Sequence, residues 1–209
     1  MEAVAGDPYD PARSPAADAW WWVERATFDF IMRTDRSIQT DDNGQSDANG
    51  QTDAGGLRLG IVVSRYHEEI TDRLRDGAVA CFSAAGGQGD DLVLAEAPGA
   101  FELPIVAAWL AERDDLDGVV ALGCLLQGET SHMGHIAGSV AEGLMSISLR
   151  TGKPVAFGVL TCETLEQAME RAGGRHGNKG QEAMQATIET IRSIQRIGSS
   201  APADASEAT

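Results

Sequence analysis

Between residues 57 and 197 the chain alternates short, continuous apolar runs with longer stretches in which apolar side chains recur every three or four positions. The run 57–63 is rich in Ile and Val and bounded by polar residues, the pattern of a buried strand. Over 68–84 the apolar positions Ile70, Leu74, Ala78 and Phe82 fall at helical spacing, and Gly86-Gly87 ends the segment. A second strand is read over 92–97, then a helix over 103–112 with Pro104 accommodated in its first turn. Residues 118–124 read as a third strand, and 132–150 as a helix with Met133, Ile136, Ala137, Val140, Leu144 and Ile147 on one face. A fourth strand covers 154–160. Thr164 and Gln167 then form a capping-box pattern for a helix that Gly173-Gly174 should stop. Asn178 and Gln181 repeat the capping logic for a final helix with the stripe Met184, Ile188, Ile191 and Ile194.

Strands alternating with helices imply a parallel sheet covered on both faces. Right-handed crossovers leave few topologies, and the simplest is a flavodoxin-like three-layer α/β/α sandwich on a four-stranded parallel sheet. No internal repeat or second domain is visible. Residues 34–56 hold almost no large apolar side chain, so 1–56 read as a disordered acidic leader, 57–197 as the folded unit and 198–209 as a disordered tail. Within the leader, Trp20-Trp21-Trp22 with Phe28, Phe30, Ile31 and Met32 stand out, and no function is assigned to them.

A formal charge of −16 argues against nucleic acid, whose phosphates demand a basic surface. Residues 57–197 carry 19 acidic and 12 basic side chains, so the folded part is only mildly acidic, and several basic groups cluster between Arg171 and Lys179. Three cysteines, Cys81, Cys124 and Cys162, are odd in number and lack a CxxC spacing, which suits buried thiols in a reducing compartment. No apolar run approaches bilayer length and no signal-peptide pattern opens the chain. A cytoplasmic protein without membrane attachment is expected.

Candidate chemistry gathers where strand readings give way to helices, the place where open α/β sheets bind ligands. Glu102 opens one helix and Thr130-Ser131 another; both could be ordinary caps or dipole partners, yet free amides at a helix start also make an anion site. His132 begins that second helix, where a lone histidine is more often a surface residue than a catalyst. Arg171 could be a dipole partner at a helix C-terminus. Lys179 sits at a helix start, where the dipole disfavours a cation, so something anionic should lie near it. Neither a P-loop nor a GxGxxG turn is present, and His132 with His135 lack further ligands at metal spacing. No metal or cofactor is expected.

Five collinear segments carry a resemblance: PGAFELP at 98–104, GCLLQGETSH at 123–132, FGVLT at 157–161, EQAMERAGG at 166–174 and GNKG at 177–180. Residues 57 to about 195 resemble the 6,7-dimethyl-8-ribityllumazine synthase family of riboflavin biosynthesis. The resemblance implies a transferase that condenses 5-amino-6-(D-ribitylamino)uracil with 3,4-dihydroxy-2-butanone 4-phosphate and releases phosphate and water. It also implies a homo-oligomer, a pentamer or a sixty-subunit icosahedral shell, with active sites between subunits and riboflavin synthase as a possible companion. Carried over by motif, Tyr66 should stack on the pyrimidine, Ala100, Phe101 and Glu102 should line the pocket with Glu102 on ribityl hydroxyls, and Cys124, Leu125 and Leu126 should floor it. Glu129 and Thr130 should meet the butanone phosphate, with His132 as the proton-transfer residue. From the neighbouring subunit, Phe157 should close the aromatic side, Arg171 should bind the phosphate and Lys179 should lie near ring or phosphate.

Three departures stand beside that pattern. Tyr66-His67 replaces a Phe or Trp followed by Asn, Gln127 stands where Arg is frequent, and 45–56 is too polar for the apolar N-terminal strand that the family adds to a neighbour's sheet. Two rival functions on the same scaffold are a lumazine- or flavin-binding shell protein and an enzyme that dismutates lumazine. Glu102, Thr130, His132 and Arg171 together favour the synthase, because storage needs neither a phosphate clamp nor an imidazole.

Overall fold

The computed structural model describes residues 52–199, and everything below concerns these; the leader up to residue 51, its Trp20–Trp22 cluster and the tail from 200 lie outside them. Strands β1 (Leu59–Ser64), β2 (Leu92–Ala97), β3 (Gly118–Leu126) and β4 (Val155–Cys162) form one parallel sheet in the order β2-β1-β3-β4. They alternate with helices α1 (Glu68–Ala84), α2 (Leu103–Ala111) and α3 (His132–Thr151). After β4 come a short helix α4 (Leu165–Arg171), a hairpin of β5 (Ala172–Gly174) with β6 (Gly177–Asn178), and the long α5 (Lys179–Ser199).

The twofold side-chain alternation of a strand explains why near-continuous apolar runs are needed here. Leu59, Ile61 and Val63 of β1 with Val120, Leu122 and Cys124 of β3 pack under α1 and α5, against Leu74, Phe82, Met184 and Ile188. Their chain neighbours Val62, Val119 and Ala121 turn to the opposite face and meet Leu103, Ala107, Val140 and Leu144 of α2 and α3. Both central strands are therefore buried on both sides, as the sandwich reading requires.

Element ends differ from the sequence expectations in physically readable ways. Leu57 and Arg58 precede the ladder, and the Arg58 amide is taken by the Asp117 carboxylate at 2.8 Å, so β1 starts at Leu59. β3 and β4 each run two residues further, to Leu126 and Cys162, because these two pair with each other. Residues 52–56 pack on the domain despite their polar composition: Ala54 is fully buried, its amide donates to the Ala85 carbonyl at 2.8 Å, and Arg192 bonds the Asp53 and Gly55 carbonyls. Gly198, expected in the tail, still lies in α5.

Thr164 caps α4 through the Gln167 amide at 3.2 Å, while the Gln167 side chain accepts from the Glu163 amide at 2.9 Å. Gly173-Gly174 do not simply stop α4; they form β5, and Gly177 supplies the positive φ of 80° that turns the hairpin back. Asn178 caps α5 with its Oδ1, accepting from Gly180 and Gln181, and its Nδ2 donates to the Arg73 carbonyl of α1 at 2.8 Å. A Cβ on Gly180 would land in the Leu74 carbonyl, a backbone atom that cannot yield, so α1 and α5 meet at a contact only glycine permits.

Candidate active site

The strand order reverses between β1 and β3, and the crevice at the C-terminal ends of those two strands is the ligand-binding position of open α/β sheets. The chain places there the segments the motifs single out. Tyr66 follows β1 by two residues, is 65% exposed, and has its amide held by Ser64 Oγ at 3.3 Å. Ala100–Glu102 form one 3₁₀ turn between β2 and α2, with Ala100 buried, Phe101 exposed and Glu102 half-buried. The Glu102 carboxylate folds back over Gly99, where a Cβ would stand 2.9 Å from Oε2.

At the end of β3, Leu125 and Leu126 are half-buried, whereas the Cys124 side chain lies fully inside the α1/α5 core. Cys124 therefore presents only backbone to the rim, and burial pushes its thiol up to about 12. Burial also raises the Cys162 thiol, opposed by the nearby Arg171 charge. Both shifts disfavour the thiolate. Glu129, Thr130 and His132 are exposed, and the His132 amide at the start of α3 is held by Thr130 Oγ1 at 3.4 Å. Among the described residues neither the Glu102 carboxylate nor the His132 ring forms an ion pair or side-chain hydrogen bond, which leaves both open to a ligand.

Phe157 and Lys179 lie elsewhere on the same chain, whereas Arg171 acts electrostatically on Cys162, the strand partner of Leu126 at the rim. Phe157 sits midway along β4, opposite Ala121, five residues before the strand's end. β4 is an edge strand, and its open flank between α3 and α5 forms a groove of about 360 Å³ lined by Phe157, Met145, Ser148, Lys179 and Glu182. None of the rim residues Tyr66, Glu102, Thr130 or His132 lines it. Arg171, at the last turn of α4, donates to the His176 carbonyl and reaches Glu182 at 3.1 Å. Lys179 Nζ reaches the same carboxylate at 3.2 Å. The anion expected beside Lys179 is thus Glu182, one turn into α5, and it gathers both cations.

Sequence reasoning passed over Glu182 because an acidic residue three places after a helix-starting lysine reads as a routine surface pair. It also passed over Glu170, whose carboxyl is held below its usual value by the Arg175 backbone amide and then its guanidinium. Gln127 has a visible use: its side-chain amide donates to the Gly128 and Thr130 carbonyls at 2.8 and 3.0 Å and so ties down the loop before His132. Among the described residues no group of His, Cys, Asp or Glu could hold a metal ion, and no helix is long and apolar enough to cross a membrane.

A family model described as 6,7-dimethyl-8-ribityllumazine synthase matches residues 56–195, the whole sheet and every helix that shapes the rim and the groove. The chain belongs to this family. Individual lumazine synthases agree. One from Thermus thermophilus is 49% identical over 142 residues, covering 68% of this chain and 90% of the relative. One from Aquifex aeolicus is 48% identical over 134 residues, 64% of this chain and 87% of the relative. A third, from Nitratidesulfovibrio vulgaris, is 45% identical over 142 residues, 68% and 91% of the two chains. As a lumazine synthase family member, the chain keeps the family's α/β architecture on the four-stranded parallel sheet.

Proposed function

We propose that this chain is a 6,7-dimethyl-8-ribityllumazine synthase of riboflavin biosynthesis, joining 5-amino-6-(D-ribitylamino)uracil to 3,4-dihydroxy-2-butanone 4-phosphate without cofactor or metal. The observation that carries this reading is the family match over 56–195 with all five motif segments in place. In this reaction the pyrimidine's primary amine attacks the ketone and water leaves as an imine forms. Elimination then expels phosphate. The enol left by that elimination tautomerises to a ketone, and the ribitylamino nitrogen closes the second ring onto this new carbonyl with loss of a second water. Protons move at each step near neutral pH, and His132, exposed and unpaired at the rim, is the group suited to carry them. The reactants are already reactive, so holding them side by side supplies much of the acceleration.

Tyr66 and Phe101 offer the pyrimidine an aromatic surface, Glu102 accepts from ribityl hydroxyls, and Leu125, Leu126 and the Cys124 backbone floor the pocket. Thr130, the Glu129 backbone and the amides opening α3 receive the phosphate, together with Arg171. The separation of Phe157 and Lys179 from the rim within one chain supports an active site completed by a neighbouring copy. A bare apolar stripe favours such packing: Phe101, Ile105 and Trp109, four apart, are 60%, 62% and 72% exposed. We take a cytoplasmic homo-oligomer as the working form, with a pentamer as its smallest active unit, the sixty-subunit shell as a larger assembly, and riboflavin synthase as a candidate partner. Residues 57–197 are taken as the catalytic unit, with 52–56 packed against it.

Incubating the protein with both substrates should yield the lumazine chromophore together with phosphate. Product from lumazine alone would instead indicate the dismutating rival, and binding without turnover the storage protein. The shared site has its own test. Co-assembling the impaired His132→Ala and Arg171→Ala chains should raise activity above that of either alone, since some sites then take their rim and flank from undamaged halves; mixed oligomers no more active than the two variants would refute sharing.

A further inference from the structure

Among the described residues His67 is the one non-glycine residue with positive φ, at 63°. It occupies the N-cap of α1, where its carbonyl accepts from the Ile70 and Thr71 amides at 2.9 and 3.1 Å, and its side chain makes no capping bond. The cap thus uses only the backbone, and glycine or asparagine would hold that left-handed conformation with less strain. What the histidine adds is a ring. Its imidazole stands edge-on to the Tyr66 ring, with centroids 4.7 Å apart and planes at 76°, the one aromatic pair among the described residues.

Tyr66 has little else to hold its ring. It is largely exposed, its main chain is anchored through Ser64, and an exposed aromatic samples several rotamers. A ring that must lie flat against a planar ligand binds better when its orientation is set beforehand. We propose that His67 is a positioning residue for the pyrimidine: fixed in left-handed geometry by the cap of α1, its imidazole edge pre-sets the Tyr66 ring for stacking. This rests on the synthase reading given above, in which Tyr66 meets the pyrimidine. It also gives the Tyr66-His67 pair a joint role, since each departs from the family's residue at that position.

The test separates ring from backbone with three variants assayed at varied concentrations of each substrate. His67→Gly keeps the left-handed cap and removes the ring; the KM for the pyrimidine should rise roughly three- to tenfold, the scale of an aromatic edge contact. Its kcat, its KM for the butanone phosphate and its melting temperature should hold. His67→Phe, which retains a ring edge and no N–H, should bring the pyrimidine KM back to within about twofold of the parent. His67→Asn should behave like the glycine variant. Rescue by asparagine and not by phenylalanine would overturn the proposal in favour of a direct hydrogen bond to substrate. A uniform loss in both KM values with a lower melting temperature would reduce His67 to a structural cap. Tyr66→Ala guards the premise. If it raises the pyrimidine KM while His67→Gly does not, positioning fails and the site stands; if Tyr66→Ala changes nothing, the stacking assignment fails and positioning with it.

Discussion

Where the strands of the sheet begin, one cluster of charged side chains is consumed internally. Arg58 reaches Asp115 at 2.7 Å and Asp91 at 3.7 Å, Arg113 grips Asp115 through Nε and Nη2 at 2.9 and 2.8 Å, and Lys153 donates to the Arg113 carbonyl at 2.6 Å. Where the strands end, Glu102, Glu129 and His132 stand open, and the Thr130 hydroxyl makes only a long contact to the amide of His132. Both rims are polar and solvent-facing, and pairing distinguishes these two clusters rather than the rims as wholes: Arg65 reaches Glu96 at 3.9 Å where β1 and β2 end, while exposed Asp90 and Asp114 lie beside the strand starts. Charges that satisfy each other hold a loop in place and are worth little individually at the surface. Charges left open at a strand-order reversal have no structural return, and the synthase reading gives them one in the ligand.

That contrast is open to attack, first at His132. His132→Ala should slow turnover at saturating substrate by roughly ten- to a hundredfold with little change in affinity, since general acid–base effects fall at the low end when substrates react unaided. An unchanged kcat would make the open rim as inert as the closed one. Next comes Arg171, which is paired to Glu182 yet assigned to phosphate. Arg171→Lys keeps the charge and loses the planar fork, so the KM for the butanone phosphate should rise several-fold and more than that for the pyrimidine. Equal shifts in both would return Arg171 to the structural class.

The smallest effect belongs to the opposite rim. Asp115→Asn should leave turnover within about twofold, because surface pairs act weakly and locally. The Arg113 hydrogen bond holds the Asp115 carboxyl at about 2, below its ordinary 3.8. The contribution of a lowered carboxyl is present above the ordinary value and is lost as pH falls through the lowered one. Stability measured between pH 4 and pH 2 should therefore decline less steeply in the asparagine variant than in the parent. A large activity loss in this variant would erase the distinction between the rims.

Strand and helix identities were legible because two-sided burial of β1 and β3 demands continuous apolar runs, and helix faces leave a four-residue rhythm. The hairpin of β5 and β6 was not, since Ala172-Gly173-Gly174 carries no alternation and reads as a helix stop. At the site, the motifs named the rim residues one by one, but chain order could not say that Phe157 and Lys179 share a groove away from the other candidates. Glu182 escaped notice because only folding brings Arg171, eleven residues earlier, onto its carboxylate. The conformation of His67 was equally hidden: histidine in a helix-start position gives no sign that φ is positive.

One segment carries a lesson about inference from motifs. In GNKG at 177–180, the first glycine turns the hairpin, the asparagine ties α5 to α1, and the second glycine admits the Leu74 carbonyl. Three of its four letters are thus spoken for by architecture; Lys179, paired at the surface with Glu182, is the one that backbone packing does not demand. A descendant of this chain that had abandoned catalysis would be obliged to keep those three and could discard the fourth. The segment certifies ancestry and shape; whether a given copy still works has to be read from the lysine and from the open rim.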